Sequence, residues 1–116
     1  MKEQAQNLAM HLFDMELESI NNSIDDFYIE FIGWKDIFGS KSKELFDAVV
    51  FDSKNKFYCD AINEISNRLM GDFNSGYWND LTYNPMMMVE YGGIIDDAIK
   101  KQMLIDSGIG VQLEIK

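Results

Sequence analysis

The stretch GDFNSGYWNDLTYNPMMMVEY, residues 71–91, decides the fold that the sequence predicts. Residues 72–76 have turn composition, and Tyr77-Trp78 opens a segment rich in strand-forming residues. Asn84-Pro85 punctuates that segment, so Met86 to Tyr91 can return as the second strand of a hairpin. The stretch therefore predicts an antiparallel sheet in the second half of the chain.

On the N-terminal side of this stretch, apolar residues recur with helical spacing. They step by three and four positions, which places them on one stripe of a helix. These residues are Leu8, Leu12, Phe13, Leu17, Ile20, Ile24, Phe27 and Phe31. Asn21-Asn22-Ser23 are poor helix formers, so a break there with a new cap at Ser23 is the alternative.

Two more helices are predicted before the hairpin. One runs from Lys43 to Phe51 with Ser42 as its cap, although the β-branched pair Val49-Val50 leaves a strand as the alternative. The other keeps the three-four spacing from Tyr58 to Leu69 and ends at Gly71, because glycine commonly closes a helix.

Beyond the hairpin, Gly92-Gly93 predicts a hinge and Ile94 to Leu104 a short helix. Val111 to Lys116 alternates apolar and polar residues, the pattern of a half-buried strand. At a sheet edge this strand could pair with a second copy, which leaves a homo-oligomer open. We expect a single α+β domain, residues 1–116, with N-terminal helices packed on a small antiparallel sheet formed mainly by the C-terminal half.

The composition is typical of a compact folded protein. Of its 116 residues, 47% are hydrophobic and 13% aromatic, which supports one core and excludes intrinsic disorder. No apolar run is long enough to span a bilayer, and the N-terminus lacks the apolar run of a signal peptide. Cys59 is the single cysteine, so an internal disulfide is excluded, and we expect a soluble protein of the cytoplasm.

The charge gives the first indication of a partner. Twenty acids against ten bases give a net charge of −10, and residues 1–38 hold eight acids and two bases. Such a surface repels nucleic acid and anionic membranes but attracts a basic protein. Solubility alone is the other interpretation, since net charge says nothing about fold.

Residues that usually carry catalysis are sparse. His11 is the only histidine, and Cys59 is in its simplest interpretation a packed small side chain. The adjacent carboxylates Asp25-Asp26 and Asp96-Asp97 point about 100° apart on a helix and do not form a shared site. No phosphate-binding loop, metalloprotease motif or calcium loop occurs. We therefore expect no catalytic site, no cofactor and no metal.

Residues 68–78, RLMGDFNSGYW, resemble the signature of the ArdB/KlcA antirestriction family. In that signature a helix ends in Arg-Leu and is followed by Asp, an aromatic residue, a short glycine-rich turn, and Gly-Tyr-Trp opening a strand. The matching residues are Arg68, Leu69, Asp72, Phe73, Gly76, Tyr77 and Trp78. Ser75 stands where the family usually has a second glycine, and the family's Gly-Gly-Phe-Tyr-Met-Ala-Pro stretch has no counterpart here.

The resemblance implies a protein of plasmids, phages or other mobile elements that protects incoming DNA from host type I restriction enzymes. It also implies an α+β fold with a small antiparallel sheet and no assigned catalytic chemistry. The motif either builds the helix-to-sheet corner or contacts the partner directly. At such a corner Gly76 permits the turn, and we expect the Asp72 side chain to bond to the turn amides.

The predicted function is non-enzymatic inhibition of a host defence nuclease, type I restriction or CRISPR, in the bacterial cytoplasm. The inhibitor would bind the protein complex, and neither nucleic acid nor a membrane directly, through its acidic face. Carboxylates along a helix can imitate a phosphate backbone, so DNA mimicry is one form of this hypothesis. The predicted partner-binding residues are Asp14, Glu18, Asp25, Asp26 and Glu30.

Two other functions compete with this prediction. An immunity protein or antitoxin that plugs the active site of a basic toxin would use the same charge. A small enzyme that uses Cys59 or His11 is the third candidate. Genomic neighbourhood separates the first two, because a toxin gene alongside favours immunity and phage or plasmid-transfer genes favour antirestriction.

Overall fold

The computed structural model describes residues 1–24, 34–52 and 56–108, and every regular element in these ranges is helical. The α-helices are α1 (Lys2–Ser23), α2 (Trp34–Phe38), α3 (Ser42–Asp52), α4 (Lys56–Asn74) and α5 (Pro85–Ser107). A 3₁₀ turn, Gly39–Lys41, joins α2 to α3. The predicted α+β fold with an antiparallel sheet is therefore wrong for these ranges, which contain no strand.

Helix α1 buries the stripe that its spacing predicts. Its buried residues are Ala5, Leu8, Ala9, Leu12, Phe13 and Ile20. The helix runs unbroken through Asn21-Asn22 to Ser23, whose hydroxyl donates to the Ser19 carbonyl at 2.9 Å. The predicted stripe residues Phe27 and Phe31 lie outside the described residues.

Helix α3 forms where a strand was the alternative. Phe46 and Val49 are buried, three positions apart on the inner face. Ser42 is the first residue of the helix, and its hydroxyl donates to the Gly39 carbonyl at 2.8 Å. The helical spacing therefore outweighs the strand preference of Val49-Val50.

Helix α4 confirms the spacing from Tyr58 to Leu69 but does not end at Gly71. It continues to Asn74, and the left-handed residue that follows is Gly76, with φ of +87°. A glycine inside a helix costs only about 1 kcal/mol relative to alanine, so Gly71 alone does not stop it.

Helix α5 takes the place of the predicted hairpin, hinge and short helix. Pro85 is its first residue, a position where the fixed φ and missing N–H of proline are tolerated. The helix passes through Gly92-Gly93 and ends at Ser107, and its C-cap is Gly108, with φ of +80°. Its buried residues are Met87, Tyr91, Gly92, Ile95, Ile99 and Met103. The predicted C-terminal strand, Val111 to Lys116, lies outside the described residues.

The core forms where α1 packs against α4 and α5, and α3 packs against α5. Phe13 of α1 meets Phe57 and Tyr58 of α4 edge to face, with ring centroids 6.1 and 5.4 Å away. Trp34 of α2 is buried beside Phe46 of α3. Within the ranges described, no helix combines the length and apolar character that crossing a membrane requires.

Candidate functional site

The residues that match the antirestriction signature lie at the connection from α4 to α5, not at a helix-to-strand corner. Leu69 is buried in the core, and Arg68 lies on the surface with Nη2 3.6 Å from Glu64 Oε1. Phe73 is half-buried. Gly76 turns the chain, and a Cβ there would meet nothing within 4 Å, so its backbone conformation and not crowding requires glycine.

Asp72 is hydrogen-bonded through both its carbonyl and its carboxylate. The carbonyl accepts from the amides of Tyr77 (2.8 Å) and Trp78 (3.4 Å) and from the hydroxyl of Ser75 (3.0 Å). The carboxylate accepts from the hydroxyl of Tyr91 on α5. The expected bond between the Asp72 side chain and the turn amides is not among these bonds: the backbone of Asp72 binds the turn, and its side chain ties the turn to α5.

Tyr91 joins the parts of this corner through one hydroxyl group. That hydroxyl donates to Asp72 and accepts from Nε1 of Trp78 at 2.8 Å. Burial, followed by the hydrogen bond to Asp72, raises the pKa of Tyr91 far above its usual range. The group therefore stays protonated, and remains a donor to Asp72, throughout the neutral pH range.

Tyr77 and Trp78 lie side by side and not on opposite faces of a strand. Their ring centroids are 4.7 Å apart, with the planes inclined by 66°. Trp78 is half-buried, whereas Tyr77 is 55% exposed and donates from its hydroxyl to Oε1 of Glu90 at 2.7 Å. The Tyr77 ring is thus held in place while much of its surface faces solvent.

An open groove of about 610 Å³ runs along this connection and is lined by residues 77–80 and 82–86, here called the 77–86 groove. Its lining holds three aromatic side chains, the carboxylate of Asp80, and no lysine or arginine. Asn84 is the N-cap of α5, but its side chain makes no capping hydrogen bond. The Asn84 amide oxygen is buried, with no hydrogen-bond partner in the described part of the chain.

Exposed apolar side chains continue the groove onto α5. Met86 is 55% exposed and Val89 is 74% exposed. Three positions apart, they share a face of the first turns of the helix. Together with Tyr77 they form the exposed apolar patch, which borders the 77–86 groove.

The structure describes two of the five predicted partner-binding acids. Asp14 and Glu18 are exposed and lie one turn apart, so they share a face of α1. Asp25, Asp26 and Glu30 lie outside the described residues. Burial, and then the Asp14 carboxylate, raise the pKa of the Tyr58 phenol on α4.

A carboxyl pair between α1 and α5 was missed by the sequence reasoning. Oε1 of Glu16 would lie 3.4 Å from a Cβ added at Gly92, so Glu16 rests against the glycine of α5. Asp96 lies one turn further along α5, and its buried Oδ1 has no hydrogen-bond partner among the described residues. Burial, and then the neighbouring Glu16 carboxyl group, raise the pKa of Asp96 to about 8, while Lys100 opposes the shift.

The residues of the enzymatic alternative lie on different helices. His11 of α1 meets Tyr83 edge to face at 5.1 Å, and Cys59 is exposed on α4. Within the described ranges no group of three or more His, Cys, Asp and Glu side chains is arranged to hold a metal ion.

Comparisons with protein-family models, with curated proteins and with solved structures find no match for this chain. The antirestriction resemblance therefore stays a prediction that residues 68–78 alone carry. The fold and site together define a small helical protein with an acidic surface and an aromatic corner between α4 and α5.

Proposed function

We propose that this chain is a non-enzymatic inhibitor that binds a basic surface of a partner protein and acts by occupying that surface. The observation that carries the proposal is the net charge of −10. Support comes from exposed acids on all four long helices, such as Asp14, Glu44, Glu64 and Asp97. Complementary charge accelerates encounter and favours a partner rich in Lys and Arg.

The distribution of bases favours a protein partner over nucleic acid. Lys43, Lys56 and Arg68 each lie beside an acid four residues away on the same helix. Binding to nucleic acid needs a row of cations that displaces counterions from phosphates. Because each of these three cations is paired with an acid, they do not form such a row.

A host defence complex, type I restriction or CRISPR, is the specific partner in this proposal. Its support is the match at residues 68–78 and the Lys- and Arg-lined channel that a DNA-cleaving complex needs to hold DNA. The resemblance implies a sheet, and the described residues form only helices. The acidic surface is therefore the stronger support for this partner. A basic toxin, the immunity alternative, has the same charge complementarity.

The test is the plating efficiency of unmodified phage on restricting and non-restricting hosts, with and without this chain. We expect recovery on the restricting host only, together with salt-sensitive inhibition of DNA cleavage by the purified type I complex. An unchanged plating efficiency, with no binding to the purified complex, would exclude restriction as the target. Rescue of cells from a basic toxin encoded alongside would instead favour immunity.

Charge variants locate the binding face. The first variant neutralises Asp14, Glu18, Asp25, Asp26 and Glu30. The matched control neutralises the exposed acids Glu44, Asp47, Asp60, Glu64 and Asp106 on other helices and so has the same net charge. If α1 and the residues after it bind the partner, only the first variant loses protection; equal loss in both would show that overall charge, and not this face, determines binding.

A further inference from the structure

The 77–86 groove lies in a long part of the sequence that has no Lys or Arg. None of the ten Lys and Arg residues falls between positions 69 and 99, whereas five acids do. These acids are Asp72, Asp80, Glu90, Asp96 and Asp97. A second groove of about 530 Å³ is lined by Lys56 and Lys101 as well as by Asp60 and Glu64, so its charge favours no particular ligand.

Aromatic and acidic groups meet at the 77–86 groove in a pattern that suits an organic cation. The exposed face of the Tyr77 ring carries negative quadrupole density, which attracts guanidinium and ammonium groups. Glu90 holds the Tyr77 hydroxyl, which places its carboxylate at the edge of that ring. Asp80 accepts from the amide of Thr82 at 3.0 Å, which holds a second, exposed carboxylate in the groove lining.

The amide oxygen of Asn84 has no hydrogen-bond partner among the described residues, but it is buried and so is not available to a ligand in the groove. The N-terminus of α5 carries about half a positive charge, which would favour an anion. Pro85, however, has no N–H, and the amide of Met87 already donates to the Asn84 carbonyl at 3.0 Å. The negative charges of Asp80 and Glu90 therefore outweigh the remaining positive charge at the N-terminus of α5.

We propose that the 77–86 groove binds an arginine side chain of the basic partner. The guanidinium group lies over the Tyr77 ring and pairs with Asp80 and Glu90. Arginine fits better than lysine because its planar group stacks on rings and carries five N–H donors. Neighbouring partner residues cover the exposed apolar patch at Met86 and Val89. This inference rests on the proposed function, since it names the anchor of that partner.

Two tryptophans provide the readout for a test on the full chain. Trp78 lines the groove, and Trp34 is buried in the core as an internal control. The ¹⁵N-labelled chain is titrated with a short peptide of glycine, serine and arginine, and with matched peptides that carry lysine or citrulline. We expect the arginine peptide to move the indole N–H resonance of Trp78 and to leave that of Trp34 in place.

Conservative variants separate the groove from overall charge. Asp80→Asn with Glu90→Gln keeps carbonyl acceptors for Thr82 and Tyr77 but removes both charges. We expect this double variant to weaken binding of the arginine peptide at least about tenfold. Glu44→Gln with Asp106→Asn has the same net charge outside the groove, and we expect near-wild-type affinity.

The outcomes distinguish this inference from the proposed function. Equal binding of the lysine or citrulline peptide, or equal loss in both double variants, would overturn the arginine site. If the chain protects phage but the arginine peptide does not move the Trp78 indole resonance, the inference fails and the proposed function stands. If the arginine peptide binds at Trp78 but no basic protein partner is inhibited, the groove stands and the proposed function fails.

Discussion

The hydroxyl of Tyr91 on α5 donates a hydrogen bond to the carboxylate of Asp72 on α4, nineteen residues earlier in the chain. The same oxygen accepts from the Trp78 indole, so two helices and their connection meet at one atom. Asp72 also positions Tyr77, because the Tyr77 amide donates to the Asp72 carbonyl. Rigidity at the candidate site therefore depends on a buried tyrosine that is outside the groove lining.

Removing this hydroxyl in Tyr91→Phe should destabilise the fold. The substitution leaves the Asp72 carboxylate and the Trp78 N–H without their shared partner in a partly buried place. We expect the free energy of unfolding to fall by about 1–3 kcal/mol, measured by urea denaturation with an unchanged slope. Tyr77→Phe is the matched control, because it removes an exposed hydroxyl and should change stability by no more than about 0.5 kcal/mol. Equal effects of the two variants would contradict a structural role for Tyr91.

The carboxyl pair between α1 and α5 makes stability depend on pH. Burial, and then Glu16, raise the pKa of Asp96 from 3.8 to about 8. A carboxyl whose pKa is raised by folding binds more protons in the folded state, so its stabilising contribution is complete below about pH 4 and is lost as the pH rises to about 8. Lys100 and Asp97 on α5 also act on this group, the first lowering and the second raising its pKa.

Asp96→Asn should abolish this dependence. The amide is neutral at every pH, so the stability of the variant relative to wild type should increase steadily between about pH 5 and pH 8. Urea denaturation across that interval is the measurement, and Asp97→Asn, at an exposed neighbouring position, is the control. If the difference in stability between Asp96→Asn and wild type stays constant over the interval, folding does not raise the pKa of Asp96.

Helical spacing made α1, α3 and α4 predictable, because burying one stripe dominates the energetics of an amphipathic helix. Helix α5 has the same helical spacing, but two glycines interrupt it. Met87, Tyr91, Ile95, Ile99 and Met103 recur every four residues, yet Gly92-Gly93 in their midst reads as a hinge. Gly92 is in fact buried in the helix with Glu16 of α1 against it, a contact that no local pattern reveals.

Pro85 is compatible with two local structures, and the neighbouring residues do not distinguish between them. A proline after asparagine punctuates a hairpin as readily as it begins a helix. For the site, the motif predicted a helix-to-sheet corner at Asp72, Tyr77 and Trp78, but the structure has a connection between two helices there. Its partners Glu90 and Tyr91 were not predictable, since hydrogen bonds across 13 and 19 residues depend on how α4 and α5 pack.

Two glycines within residues 68–78 should respond oppositely to alanine. Gly71 lies inside α4 with nothing within 4 Å of an added Cβ, so Gly71→Ala should stabilise the chain by about 1 kcal/mol. Gly76 has φ of +87°, a conformation that side chains disfavour, so Gly76→Ala should destabilise it by about 1–2 kcal/mol. Thermal unfolding of the two variants measures both signs. A destabilising Gly71→Ala would indicate that α4 ends at Gly71, as the sequence alone predicts.

Truncation of Met87 and Val89 distinguishes the helix from the predicted strand. In a strand these residues, two apart, share a face, and alanine should be costly at both or at neither. In α5 Met87 is fully buried whereas Val89 is 74% exposed. We therefore expect Met87→Ala to cost about 2–5 kcal/mol through loss of buried contacts and the cavity left behind. Val89→Ala should change stability by no more than about 0.5 kcal/mol, since alanine is also the better helix former. Urea denaturation measures both values. Comparable losses of stability at the two positions would favour the hairpin over the helix.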